Sequence, residues 1–464
     1  MVIDGQTLPL DLLCCPRCSG PLTAGATLAC VSCAVAFPSI GGMPWLFESP
    51  GAALGEWRAR VHAFLAELEA QAAHYRAALG EGVTRASTRN RLKLLAAACS
   101  DHARRLRALL APLVVEGGAA APELYRALRP ALPTNQGLTG YYANLHRDWS
   151  WGEAENEACY AFIDRALGAA PPGRTLLLGV GAGRLAYDLH LRRQPEVLLA
   201  ADLNPLLLLA ARRLYAGETV ELYEFPLAPR DIESHAILRR LAAPGPVGPG
   251  LHLVFADVTH GPFAAGAFDT VITPWLIDIL DEDLAVFAAR LNRWLRPGGR
   301  WVNSGSLAFQ GDDPECRYSL EEVRQLVEAA GFGAIDVSED TTPYLCSPAS
   351  RHGRRETVVT FSAVKQREVA VPAWARSGPA WLEQYDLPVP LLPEIAGRQL
   401  ELRVLAFVAA LVDGRRTVRD MARVLVEKRM MAEAEAEPAV RGFLRRFYEE
   451  SRAGGESEWH HSNN

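Results

Sequence analysis

Cysteines near the amino terminus have the spacing of a metal site. Five of the nine cysteines lie within the first 33 residues, and "CPRC" and "CVSC" each hold a pair separated by two residues. Each pair predicts a tight turn, and together they supply four thiolates for one tetrahedral ion. Zinc is expected, although four thiolates also suit iron. The predicted ligands are Cys15, Cys18, Cys30 and Cys33, with Cys14 outside the site.

A second group of residues with chemical potential is a glycine cluster after an apolar run. "TLLLGVGAGRL" predicts a strand, a turn and a helix, in which Gly179, Gly181 and Gly183 let the backbone bend and approach a ligand. Arg184 stands where a dinucleotide-binding turn requires glycine, so a ligand without phosphates is expected. Alone, the pattern also fits a plain structural turn.

Two aspartates follow later apolar runs. Asp202 ends the predicted second strand, where a carboxylate can accept hydrogen bonds from both hydroxyls of a ribose. Asp257 ends the third, where it can receive the exocyclic amine of adenine while Val258 packs on the ring. Each aspartate taken singly could instead cap a helix. The glycine turn and both aspartates, in order at strand ends, favour a nucleoside site.

This trio resembles the nucleotide site of class I S-adenosylmethionine-dependent methyltransferases. "WLRPGGRWVN", a predicted helix that ends in Pro-Gly-Gly before another strand, strengthens the resemblance. The resemblance implies a Rossmann-like α/β fold with S-adenosyl-L-methionine as cofactor.

A narrower resemblance covers about residues 136–365. "YYANLHRDWSWGEAENEACYAFI", "LLLGVGAGRLAYDL", "FDTVITPWLIDIL" and "LRPGGRWVNSGSLAF" look like the carnosine N-methyltransferase family. The resemblance implies that Arg147 contacts the methionine carboxylate of the cofactor, and a guanidinium suits such a group. Asn144 takes the place of a family Gln nearby. The alternative for Arg147 is a surface ion pair with Asp148.

The same resemblance makes Asp278 the substrate-gripping aspartate and gives Tyr344 a part in positioning the substrate. A carboxylate that accepts the N–H of one imidazole nitrogen fixes the tautomer and enriches the other nitrogen. The alternative for Asp278 is a helix N-cap, for which Asp281 and Asp283 are better placed.

The chain departs from this family in two places. Gln310 stands where the family's loop has a His, and "RHGRRETVV" replaces a tyrosine-rich stretch. A pocket without these groups can still bind a nitrogen heterocycle. We therefore expect an acceptor other than carnosine, namely an imidazole-like nitrogen or an amine of a small molecule or peptide.

Residues 8–47 resemble the small zinc-ribbon activator subunit found with tRNA and release-factor methyltransferases. The resemblance rests on an apolar lead-in, both cysteine pairs and the closing "FPSIGGMPWL". Four thiolates leave no open coordination position, so the metal is expected to be structural.

Periodicity outlines the rest of the chain. Helical spacing of apolar residues follows the ribbon, and short apolar runs alternate with helical stretches from about residue 171, which indicates a parallel sheet buried on both faces. The carboxyl-terminal helices resemble PqqD-type domains more weakly, and a plain helical cap is an equal alternative. The predicted domains are a zinc ribbon (1–48), a helical segment (49–135), a methyltransferase domain (136–365), a helical, winged-helix-like domain (366–452) and a disordered tail (453–464).

The composition of the chain argues against nucleic acid and membranes as binding partners. The net charge of −6 provides no global basic field for nucleic acid. The amino terminus lacks the pattern of a signal peptide and no apolar run is long enough to span a bilayer, so a cytoplasmic protein without membrane contact is expected. The sequence leaves the oligomeric state open.

Two other functions are compatible with these motifs. An rRNA or tRNA base methyltransferase could use the ribbon to contact RNA, although the acidic balance argues against it. A non-catalytic assembly protein could keep the fold without the reaction, although the complete set of cofactor residues argues against that.

Overall fold

The protein is described from a computed structural model, which describes residues 2–3, 6–25, 27–80, 85–113, 137–280, 282–309, 314–372 and 388–453. The chain divides into two compact units, Met1–Val371 and Pro372–Trp459. The expected disordered tail lies outside the described residues except for its first residue.

Short strands and two long helices form the amino-terminal part. A small antiparallel sheet of three strands follows the first cysteine turn, and the second cysteine turn lies between its second and third strands. The two helices pack on each other, as the apolar periodicity predicts. The elements are β1 (Val2–Ile3), β2 (Gln6–Thr7), β3 (Leu22–Ala24), β4 (Leu28–Cys30), β5 (Ala36–Phe37), β6 (Ser39–Ile40), β7 (Met43–Leu46), α1 (Pro50–Gly80) and α2 (Ala86–Leu109).

Alternating strands and helices follow, as expected. A single π-turn separates the first two helices of this part. The elements are α3 (Tyr142–His146), the π-turn (Arg147–Trp151), α4 (Glu153–Leu167), β8 (Arg174–Leu178), α5 (Arg184–Arg193), β9 (Val197–Asp202), α6 (Pro205–Tyr215), β10 (Val220–Glu224), β11 (Ile237–Leu241), β12 (Leu251–Ala256), β13 (Phe268–Pro274), α7 (Leu284–Trp294), β14 (Leu295–Gly305), α8 (Leu320–Ala329), β15 (Phe332–Tyr344) and β16 (Arg354–Lys365).

The central sheet has the order β15-β16-β14-β13-β8-β9-β12-β7-β6. Strands β12, β9, β8, β13 and β14 are parallel, which confirms the expected buried parallel sheet, and β16 is antiparallel to β14 and β15. The chain runs from β8 outward to β9 and β12 and then returns to β13 on the other side of β8. In open α/β sheets, ligands bind beyond the carboxyl ends of the strands at such a reversal.

The segment predicted as a zinc ribbon, called the ribbon below, continues this sheet. Strand β7 pairs in parallel with β12, so that Trp45 is the partner of Phe255, and it covers an edge that would otherwise present unpaired backbone groups. Trp45 is fully buried, its ring lies 5.0 Å from that of Phe255, and its Nε1 donates to Pro50 O at 3.0 Å. The sequence did not predict that the ribbon shares the sheet.

Helix α2 packs against an antiparallel hairpin of β10 and β11 that the sequence also did not predict. The contact includes His102, whose buried ring lies 6.1 Å from the ring of Tyr223 in β10 and 5.5 Å from the ring of Phe225, which follows that strand. Burial lowers the pKa of His102 to about 3, so the ring is neutral near pH 7.

The described residues 388–453 of the second unit form three helices, α9 (Pro393–Ala410), α10 (Val418–Glu427) and α11 (Glu433–Ala453). The Asp420 N–H donates to Thr417 Oγ1 at 3.2 Å and the Thr417 N–H donates to Asp420 Oδ2 at 3.0 Å, so Thr417 begins α10 with a reciprocal capping box. The apolar core of the second unit includes Val408, Met421 and Val440. Residues 388–453 contain no strand.

In neither unit does a helix that the structure describes have the length and apolar character needed to cross a bilayer.

Candidate functional site

The glycine turn after β8 has the geometry of a ligand cradle. Gly179, Gly181 and Gly183 have positive φ angles of 71°, 58° and 93°. A Cβ at Gly183 would lie 2.6 Å from the Tyr215 hydroxyl oxygen, so the packing of α5 on α6 requires glycine there. A Cβ at Gly181 would meet no atom within 4 Å, so the turn leaves open space at that point.

Asp202 lies at the end of β9 beside this turn. The Gly181 N–H donates to Asp202 Oδ2 at 2.7 Å, and the Asn204 N–H donates to Oδ1 at 2.9 Å. Asn204, not Asp202, caps α6 by accepting the Leu206 N–H at 3.0 Å. Burial raises the pKa of Asp202, and the backbone N–H groups partly oppose that rise. Helix capping therefore does not account for Asp202.

Asp257 follows β12 and does cap a short 3₁₀ turn, since its Oδ1 accepts the Thr259 N–H at 2.9 Å. Its Oδ2 lies 3.7 Å from His260 Nδ1, and His260 Nε2 lies 3.6 Å from Glu48 Oε2 just after the ribbon. Burial raises the pKa of Asp257, but the contacts from His260 and Thr259 outweigh burial and leave it below its usual value. Asp257 therefore keeps its charge beside the site.

Arg147 begins the π-turn and pairs with Asp148, with 2.7 Å between Nη2 and Oδ1. The side chains are only 16% and 5% exposed, so this is not the surface ion pair considered as the alternative. Asn156 Nδ2 donates to Arg147 O at 3.3 Å and holds the turn. Single π-turns are frequent at functional sites. Nearby, Asn144 Oδ1 is buried without a hydrogen-bond partner among the described residues.

These groups line one cavity of about 600 Å³, a size typical of small-molecule sites. Two groups of lining residues differ in character and lie side by side. The polar end is the group of predicted cofactor residues Asn144, Arg147, Gly179, Gly181, Asp202, Asp257 and Val258. The apolar end is the group formed by Phe162, Trp275, Leu276, Ile279, Leu280, Pro343, Tyr344 and Val358. The two groups meet where the Arg147 guanidinium lies 5.9 Å from the centroid of the Tyr344 ring. Gly183 is the one predicted cofactor glycine outside the described lining, because it packs against Tyr215.

The two predicted substrate residues have different positions. Tyr344 ends β15, lines the cavity, and its ring lies 4.9 Å from that of Trp275. Asp278 is not among the described lining residues; its Oδ2 accepts the Ser306 hydroxyl at 2.5 Å and the Ala308 N–H at 3.1 Å. Burial raises the pKa of Asp278. Asp283 caps α7, as the alternative for Asp278 had indicated.

Asp281 and Gln310 lie outside the described residues. Many lining residues were not singled out from the sequence, and four of them matter for the chemistry of the cavity. Glu155, Cys159 and Phe162 lie on one face of α4 at helical spacing, which was a detectable signal. Trp275 follows the end of β13 and has a φ of +49°, an unusual angle for a bulky residue that is often found at functional sites.

The cysteines come together as predicted. The sulfur atoms of Cys15, Cys18, Cys30 and Cys33 lie within 4.8 Å of one another, with 3.6 Å between Cys15 and Cys33 and 3.4 Å between Cys18 and Cys30. A tetrahedral Zn²⁺ with bonds of about 2.3 Å places its sulfur ligands about 3.8 Å apart. The four thiolates thus fit a structural zinc site. Cys14 is not in the cluster, and its Sγ donates to Phe263 O at 3.3 Å.

Residues 176–302 match the family model of a methyltransferase domain. No curated protein matches the chain. Similar solved structures include phosphoethanolamine N-methyltransferase 2 of Haemonchus contortus with S-adenosyl-L-methionine, at 17% identity over 50% of this chain and 58% of that one, with a TM-score of 0.32. An S-adenosylmethionine-dependent methyltransferase from Mesorhizobium loti shows 17% identity over 46% and 99%, with a TM-score of 0.30. The chain thus spans less than two thirds of the Haemonchus protein.

The strand order and the domain match, rather than these distant likenesses, define the class: the chain contains a class I S-adenosylmethionine-dependent methyltransferase domain. The site fits that cofactor. Gly181 leaves room for a ligand, Asp202 and Asp257 offer carboxylates, and Asn144 Oδ1 offers a buried acceptor that needs a donor.

Proposed function

We propose that the protein transfers a methyl group from S-adenosylmethionine to a nitrogen atom of a small molecule or peptide. The observation that carries this proposal is the continuity of one cavity from Asp202 to the aromatic pair of Trp275 and Tyr344. Bound S-adenosylmethionine supplies an electrophilic methyl group on its sulfonium. The tasks left to the protein are alignment of the acceptor and exclusion of water.

The polar end of the cavity would orient the cofactor. Asp202 would accept the ribose hydroxyls, Asp257 would accept the adenine amine, and Val258 would pack on the ring. Arg147 would hold the methionine carboxylate, since a buried guanidinium matches a carboxylate geometrically. Asn144 lies in the same wall and would accept a donor from the cofactor.

The apolar end would hold the acceptor. A nitrogen attacks only through a free lone pair, and an apolar wall disfavours the protonated form of that nitrogen. Burial raises the pKa of Tyr344, so its hydroxyl stays protonated and can orient the acceptor. Asp278 would orient the acceptor from a position just outside the cavity lining. Its hydrogen bonds to Ser306 and Ala308 join the segments that follow β13 and β14.

Incubation of the pure protein with methyl-labelled cofactor, histidine-containing peptides and small imidazoles or amines tests this proposal. We expect label on a nitrogen of at least one member, located by mass spectrometry. Transfer to none of them, or only to added RNA, would contradict it.

The role of Asp278 has its own test. Asp278→Ala should abolish turnover while cofactor affinity stays nearly unchanged. A large loss of cofactor affinity in this variant would show that its role is misassigned.

A further inference from the structure

Glu155 is the acidic residue that α4 presents to the apolar end of the cavity. It lines the cavity together with Cys159 and Phe162, which follow at four and seven residues on the same helical face. Trp275 and Tyr344 belong to the same lining. A carboxylate thus stands within the aromatic part of the site.

Both oxygens of Glu155 are oriented by the backbone. The Leu345 N–H donates to Oε2 and the Cys346 N–H donates to Oε1, both at 2.9 Å. Each carboxylate oxygen has a second lone pair available for another donor. Two backbone donors fix the side chain but do not neutralise its charge.

Three of the four other acids at this cavity have cationic neighbours. Asp148 pairs with Arg147, Glu282 pairs with Arg290, and Asp257 faces His260. The fourth, Asp202, belongs to the polar end and is held by the backbone of the glycine turn. Among the described residues, Glu155 forms no ion pair, so its carboxylate remains available to a cationic group.

Each of the two lining arginines already has a role. Arg147, which pairs with Asp148 at 2.7 Å, is the group proposed to hold the cofactor carboxylate, and Arg184 pairs with Asp188 at 2.9 Å. An acceptor with a phosphate or carboxylate would therefore find no unpaired cation among the described lining residues. A cation, by contrast, would find Glu155 and the Trp275 ring, since the face of an aromatic ring attracts positive charge. The Tyr344 ring already has the guanidinium groups of Arg354 and Arg147 over it, 4.7 Å and 5.9 Å from its centroid.

Resting on the proposed function, we infer that Glu155 is a specificity-determining residue and that the acceptor is a small nitrogen compound carrying a positive charge. Glu155 holds a cationic or N–H group of the acceptor, distinct from the nitrogen that receives the methyl group. The nitrogen that receives the methyl group enters with a free lone pair and forms the new N–C bond as the S–C bond breaks. The cationic product then loses one proton to solvent, from the methylated nitrogen of an amine or from the other ring nitrogen of an imidazole.

Histamine and imidazole-4-propionate test this inference, because they share a ring and differ in the charge of the side chain. Each is titrated calorimetrically, near neutral pH, into the full-length protein saturated with S-adenosylhomocysteine. We expect histamine to bind at least tenfold more tightly. In Glu155→Gln this preference should fall to near parity, while S-adenosylhomocysteine affinity is unchanged.

Three comparisons separate charge recognition from a structural role. Loosening of the turn at Leu345 would weaken the binding of both compounds alike, whereas loss of the Glu155 charge weakens only the binding of histamine. Glu155→Asp should keep the preference. Glu157→Gln, on the exposed side of α4 where Glu157 pairs with Arg192, should change nothing.

Equal or tighter binding of imidazole-4-propionate, binding of neither compound, or a preference that survives in Glu155→Gln would overturn the inference. If S-adenosylhomocysteine itself fails to bind the unmodified protein, the proposed function falls and the inference falls with it.

Discussion

Asp202 is the residue on which the polar end of the cavity depends. Its two oxygens bind the backbone of the glycine turn and of the segment before α6, at 2.7 Å and 2.9 Å. A carboxylate held by two N–H groups is pre-oriented, and each oxygen keeps a lone pair for a ribose hydroxyl.

We expect Asp202→Asn to weaken S-adenosylhomocysteine binding. The amide keeps the size of the side chain but replaces one acceptor oxygen with an NH₂ group. This NH₂ group then faces another donor, either the Gly181 N–H or a ribose hydroxyl. Hydrogen bonds to a charged group contribute about 1.5–3 kcal/mol, which corresponds to roughly 10- to 100-fold in affinity. Calorimetric titration measures the affinity of each variant for S-adenosylhomocysteine. A control is Asp188→Asn, which changes an aspartate outside the described lining; equal affinities in the two variants would contradict the prediction.

Sequence reasoning works for residues that follow a buried strand and fails for residues brought in from far away. Asp202 and Asp257 could be found because an apolar run marks the end of each strand, and parallel strands gather their carboxyl ends at one edge. The helical spacing of Glu155 marks its face of α4, but the anchoring of its carboxylate could not be predicted, because the backbone groups that orient it lie 190 and 191 residues further along the chain.

At the scale of elements, the ribbon connects to the cofactor site through the sheet. Strand β7 pairs with the last two residues of β12, and Asp257 follows directly. The fold of the ribbon should depend on its metal, because so short a segment has little core of its own.

Removal of the metal should therefore weaken cofactor binding, although the metal does not touch the cavity. We expect one Zn²⁺ per chain by elemental analysis. Cys30→Ser should lose the metal, lower the thermal midpoint and weaken S-adenosylhomocysteine binding, since the edge of β12 loses its partner. Cys14→Ser is the matched control and should keep the metal, because Cys14 lies outside the cluster. Unchanged cofactor affinity in metal-free protein would contradict the coupling.

The helical pair gives a pH-dependent prediction. His102 in α2 is fully buried among aromatic rings and has a pKa of about 3, against an ordinary value of 6.5. Because the folded state binds its proton more weakly than the unfolded state, the stability is complete above about 6.5 and falls as the pH decreases toward about 3. The free energy of unfolding in urea, measured across this range, should decrease with acid.

His102→Gln should show a smaller decrease, since the substituted side chain does not titrate. His62→Gln, which changes an exposed histidine of α1, should behave like the unmodified protein. An identical acid response in all three proteins would rule out this role of His102. His146, buried nearby with a pKa also lowered to about 3, would then carry the effect.

Elements with strong local signals could be predicted, and their non-local pairing could not. The cap at Thr417 and the strands around the glycine turn are encoded by residues that are neighbours in the sequence. The pairing of β7 with β12 joins segments about 200 residues apart, and no local pattern encodes which edge accepts a further strand.

At the scale of the whole molecule, the first unit ends beyond the predicted domain boundary at residue 365. The Gln366 N–H donates to Gly331 O at 2.9 Å, and Asn292 Nδ2 donates to Arg367 O at 3.0 Å. Residues 366–367 thus complete the packing of α7 and α8, although the sequence there marks only the end of an apolar strand.

A chain that ends at Val371 should fold and bind S-adenosylhomocysteine like the full-length protein, because the described cavity residues all lie in the first unit. A chain that ends at Lys365 is the matched comparison and should have a lower thermal midpoint, since it leaves Asn292 Nδ2 with one partner fewer. Equal midpoints for the two truncated chains would argue against the contribution of these contacts.

The most direct measurement is a calorimetric titration of S-adenosylhomocysteine into the unmodified full-length chain, followed by a crystal structure of the complex. We expect one molecule bound per chain, with its ribose at Asp202, its adenine at Val258 and its sulfur toward Trp275 and Tyr344. No binding, or a ligand lying outside this cavity, would contradict the assignment of the site.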